Sequence, residues 1–76
     1  MELNPHVQRM LIERAELNKK VILLKAFMEE NPIFGTLSVE EQKDMVDQYK
    51  HMVEYKTVLE RRIKRAEGGA SNGMAN

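Results

Sequence analysis

The sequence predicts an all-α protein: an antiparallel helical hairpin of two long helices, about 5–30 and 39–66, that oligomerises into a helical bundle. Three observations predict it. Both stretches carry apolar residues at heptad spacing, with no Gly and no Pro beyond the first turn. The segment between them, 31–37, is of the length that makes neighbouring helices antiparallel. Finally, seven of the eight residues from Val21 to Met28 are apolar. Eight residues cover every side of a helix, so one packing face cannot bury them all.

Helix 1 starts at Asn4-Pro5. Asn is a favoured N-cap, and Pro suits the first turn, where an N–H would have no intrahelical partner. Its seam is Val7, Met10, Leu17, Val21, Leu24 and Met28, with Arg14 in the one missing place. The helix ends before Pro32, which pushes Asn31 into extended geometry. In the connector, Ile33, Phe34 and Leu37 are expected to fold back over the helix ends, and Gly35 to supply a positive φ. Ser38-Val39-Glu40-Glu41 reads as a capping box that opens helix 2. The second seam is Met45, Tyr49, Met52, Leu59 and Ile63, widened by Val46 and Val53, with Gln42 and Lys56 as its polar places. Residues 1–66 then form the hairpin, and the Gly- and Asn-containing stretch 67–76 reads as a flexible tail.

Folding about Phe34 pairs Met10 with Leu59, Leu17 with Met52, Val21 with Tyr49 and Leu24 with Met45. Such helices are about 40 Å long at 1.5 Å per residue and share a single seam. Apolar residues of helix 1 fall off that seam, and Leu11, Ala15, Ile22, Leu23, Ala26 and Phe27 are the expected oligomer interface. Burying each large side chain is worth about 1.5–3 kcal/mol, a large share of a small domain's stability. A dimer or higher oligomer is the economical solution.

Composition narrows the function classes. The 76 residues make one small domain, with no Cys for disulfides or thiolate metal sites. Twelve acidic and twelve basic side chains balance, so net charge gives no reason to expect a polyanion partner, and duplex DNA binding is not expected. No apolar run reaches the roughly 18 residues of a spanning helix, and the N-terminus lacks signal-peptide character, so neither membrane nor export is expected.

Catalytic chemistry finds no purchase. Ser38 is used as a cap, Ser71 lies in the tail, and His6 and His51 sit on different helices. Asp47, His51 and Glu54 share a face but lack the Glu-x-x-His pattern of di-iron bundles. The reading is therefore not an enzyme, with no metal and no cofactor.

Charge placement says more. Acids gather at the loop end (Glu29, Glu30, Glu40, Glu41, Asp44, Asp47), while Arg9, Arg14, Lys56, Arg61, Arg62, Lys64 and Arg65 gather at the open end. Helix 2 thereby complements its own macrodipole, whereas helix 1 runs against its own. Arg14 and Lys56 meet at seam positions. They either reach out to Glu13 and Glu60 or face a cavity that holds an anion, for which Arg geometry suits phosphate. Arg9, Arg14, Lys56, Arg61 and Arg62 are thus the candidate anion or partner site. Tyr55 and Val58 project from another face of helix 2 as a candidate protein-binding surface.

Gln8-Arg9, the run ERAEL at 13–17, Leu24-Lys25-Ala26-Phe27, Leu37, Glu40-Glu41-Gln42, Met52, Tyr55, Leu59 and Arg62-Ile63 resemble a family of small phage-encoded proteins related to a crAss-like phage product. The resemblance covers about residues 5–65. It implies a small accessory phage protein in the host bacterial cytoplasm, of a kind that commonly acts by binding. The first expectation is a non-enzymatic counter-defence protein that binds and blocks a host bacterial protein. The alternatives are a sponge for a phosphate-bearing immune signalling nucleotide, and a structural helical protein with no ligand.

Overall fold

A computed structural model describes the backbone of residues 4–72 and the side chains of residues 4–68. Among these residues there are three helices and no strand: α1 (Pro5–Glu30), α2 (Ile33–Thr36) and α3 (Val39–Asn72). α1 and α3 pack along one another, and the molecule measures 51 × 23 × 16 Å. With a helix about 10–12 Å across, this is a single layer of two helices. Among the described residues no third long helix packs on their outer faces.

The ends of α1 fall where the sequence places them. The Asn4 side chain accepts a hydrogen bond from the His6 N–H at 2.7 Å, with Pro5 in the first turn. At the other end Asn31 turns extended (φ −92°, ψ 120°), as the residue before Pro32 must.

The connector differs from expectation. Instead of an open loop it holds the one-turn helix α2, and Gly35 lies inside that turn without a positive φ. The turn is made locally. The Asn31 carboxamide oxygen accepts from the Ile33 N–H at 2.9 Å, and the Thr36 hydroxyl donates to the Ile33 carbonyl at 2.6 Å. Phe34 does fold back, meeting Phe27 edge to face at 6.3 Å, whereas Ile33 stays exposed.

The Ser38 hydroxyl accepts from the Glu41 N–H at 3.0 Å, which is one of the two reciprocal bonds expected of the capping box. Gln42 adds a clamp: its Nε2 donates to the carbonyls of both Phe34 and Leu37 at 3.0 Å. The polar seam position thus ties α2 to the start of α3.

α3 continues beyond the expected end at Ala66, through Gly68 and Gly69, to Asn72. A glycine costs a helix only about 1 kcal/mol relative to Ala, and no Pro follows to stop propagation. The helix therefore takes in residues 67–72 of the expected tail, and residues 73–76 lie outside the described residues. The extension also removes Arg61, Arg62, Lys64 and Arg65 from the last turn, where a macrodipole contact would operate.

The core sits toward the open end. Val7, Met10, Leu17, Val21, Leu59 and Ile63 are buried, Leu59 and Ile63 almost completely, and Leu11, Tyr49, Met52, Val53 and Ala66 pack against them. Toward the loop, Leu24, Met28 and Met45 are only half-buried and stand outside this cluster.

Candidate functional site

Of the seam positions, two long cationic side chains interrupt the apolar run near mid-hairpin. Arg14 lies between Met10 and Leu17 on α1, and Lys56 between Met52 and Leu59 on α3. Helix packing brings both into one notch, about 430 Å³ in volume, lined by Arg14, Ala15, Asn18, Lys56 and Glu60. Both cations are half-buried. Neither has an ion-pair or hydrogen-bond partner among the described residues, and Glu60 lines the notch without pairing to either.

Two cations that share a partly dried groove repel each other and have lost part of their hydration. An anion entering the notch relieves both penalties. The Arg guanidinium offers a planar fork matched to two phosphate oxygens, and the Lys ammonium a compact charge. Asn18 adds an amide that can both donate and accept. Chemically the notch suits a phosphate or carboxylate carried on a larger molecule.

The five cations named from the sequence do not converge. Arg9, Arg61 and Arg62 are exposed and stand outside the notch lining. Conversely, Asn18 is a lining residue the sequence reading missed, and Glu60, expected there as a salt-bridge partner of the seam cations, lines the notch unpaired to them. Each lies four residues after a seam cation, on the same helix face, so helical spacing alone could have found Asn18 as well.

The predicted interface set also divides. Leu11 packs against the core instead of standing free. Ala15 forms part of the notch. Ile22 (56% exposed) and Leu23 (60%) are open, joined on the same side by Ile12 (60%). Ala26 and Phe27 are half-buried, Phe27 in part by Phe34. Two shallow hollows flank Ala26: one of about 410 Å³ reaches to Phe27 and Pro32, the other of about 300 Å³ to Ile22 and Glu29. Tyr55 and Val58 are exposed and three residues apart, on one face of α3.

His51 Nδ1 lies 3.4 Å from Glu54 Oε1, with both side chains well exposed. Among the described residues no group of three His, Asp or Glu side chains is placed to hold a metal ion. No helix in that range is long and apolar enough to cross a membrane.

The family model described as Sequestin matches residues 4–65, well over half of the chain, including both packed helices up to the end of the buried seam. In comparisons with curated proteins and with solved structures, nothing matches.

Proposed function

The chain belongs to the Sequestin family, and on that premise we propose that it acts by sequestration: a self-associated helical bundle that binds a phosphate-bearing nucleotide and holds it without chemical change. The observation that carries this reading is the Arg14–Lys56 notch, where two half-buried cations lack counter-ions among the described residues. The family name points to sequestering, and the resemblance to small phage proteins supplies a setting. In that setting the protein is made in the host bacterial cytoplasm and soaks up a nucleotide that a defence system uses as its signal.

Thermal denaturation with a panel of linear and cyclic nucleotides tests this directly. A ligand held only by the folded form raises the melting temperature by mass action, worth about 2.7 kcal/mol at a hundredfold excess over Kd. The shift should vanish in Arg14→Ala and Lys56→Ala and survive in Arg62→Ala. A flat response to every nucleotide at millimolar concentration would sink the reading.

A second reading is favoured by one separate observation, the exposed Tyr55–Val58 pair on α3. Here the sequestered partner is a host protein, held through an aromatic anchor of the type that dominates interfaces. Capture of one dominant host protein, lost in Tyr55→Ala and retained in Arg14→Ala, would select it over the nucleotide. A protein that binds neither would have the structural role alone.

A further inference from the structure

The side of α1 turned away from α3 carries a second heptad stripe: Ile12, Ala15, Lys19, Ile22 and Ala26, spaced by three, four, three and four residues, with Leu23 beside it. Ile12, Ile22 and Leu23 are more than half exposed, and shallow hollows lie on both sides of Ala26. We propose that this stripe is the docking surface for α1 of a second copy of this chain, laid antiparallel in the register that pairs Ile12 with Ala26 and Ala15 with Leu23.

Two independent features select that register. The first is size. Each pair sets a large side chain opposite a small one, so the Ile12 knob enters the hollows around Ala26 while Leu23 covers Ala15. The second is charge. The same register, in which paired residue numbers sum to 38, sets Arg9 of each copy against Glu29 of the other, with Glu30 next to it. A parallel arrangement would instead place Glu29 and Glu30 against their own copies, and Arg9 against Arg9. This also explains why α1 runs against its own macrodipole, with no acid in its first turn and no base in its last. Its charges are arranged for the neighbour. The register has two costs: Ile22 lies opposite Glu16 of the other copy, and Lys19 opposite Lys19, the second lessened because the lysine side chains extend outward to water.

Ala15 belongs to both the stripe and the notch. The docked copy therefore places the partner's Leu23 at the lip of the Arg14–Lys56 notch, giving two walled notches per dimer. The inference rests on self-association, and on no particular ligand.

The chain has no Cys, so single cysteines report the register cleanly. Ile12→Cys and Ala26→Cys variants, each verified as helical, are oxidised alone and as a mixture while sedimentation follows the assembly. Cross-linked dimer should form in the mixture and not in either variant alone. Arg9→Glu should weaken the dimer, and adding Glu29→Arg should restore it. Cross-linking of Ile12→Cys with itself would overturn the antiparallel register. An oligomer without a cross-link in the mixture would overturn this register while leaving self-association intact. A monomer at micromolar concentration would overturn both.

Discussion

The two ends of the hairpin are built from similar residues and are packed very differently. At the open end, Val7 and Met10 of α1 meet a α3 face on which Leu59 and Ile63 are almost wholly buried. At the loop end, Leu24, Met28 and Met45 continue the same heptad seam but stay half-buried, and Ile22 and Leu23 beside them are open. The open end carries the intramolecular core. The loop end is held mainly by polar and aromatic ties: the Ser38 cap, the Gln42 clamp and the Phe27–Phe34 contact. A heptad pattern therefore says which residues can face a partner, while the burial actually achieved depends on how closely the helices approach at that level.

Substitutions can break or sharpen this contrast. Leu59→Ala should have the largest effect, about 2–5 kcal/mol of unfolding free energy by urea titration, against about 1 kcal/mol for Met45→Ala, whose side chain is only half-buried. Equal losses would refute the difference between the ends. Next, Leu23→Glu should cost about 2–3 kcal/mol of association energy, roughly a hundredfold in the dimer dissociation constant by sedimentation. Its effect on monomer helicity should be slight, because Leu23 is 60% exposed.

Gln42→Ala should lose about 1–2 kcal/mol, because it frees two connector carbonyls. Hydrogen exchange should quicken at α2 and the first turn of α3 while the open end stays protected. Smallest is Lys56→Met, which removes one of two like charges. We expect a gain of about 1 kcal/mol or less in the ligand-free protein, together with loss of any nucleotide-induced shift in melting temperature. A loss of stability would mean that the lysine has a structural partner.

Much of the fold was legible because local chemistry sets it. Asn4-Pro5 and Asn31-Pro32 bound α1 through rules that act within a few residues, and Ser38 starts α3 in the same way. Arg14 and Lys56 could be identified as facing cations because the two seams fix their phase. The misreadings arose where the sequence signals were weak or pointed elsewhere. Gly35 was expected to be left-handed, yet Asn31 and Thr36 close a helical turn around it. Gly68 was expected to end a helix that propagates through it. Leu11 lies just off the seam in heptad counting, but a straight helix drifts about 20° per heptad, and the side chain leans on the core.

By itself the sequence determined two long helices, their starting caps, their antiparallel turn and the stripe of each that seeks apolar cover. These depend on backbone sterics, capping and periodicity, which a few neighbouring residues settle. The tertiary structure alone decided that the tight core lies at the open end, that Arg9, Arg61 and Arg62 stand apart from the Arg14–Lys56 notch, and that Ile12, Ile22 and Leu23 on the back of α1 stay exposed. Those outcomes depend on the separation and rotation of the helices, which the whole set of packed side chains fixes together.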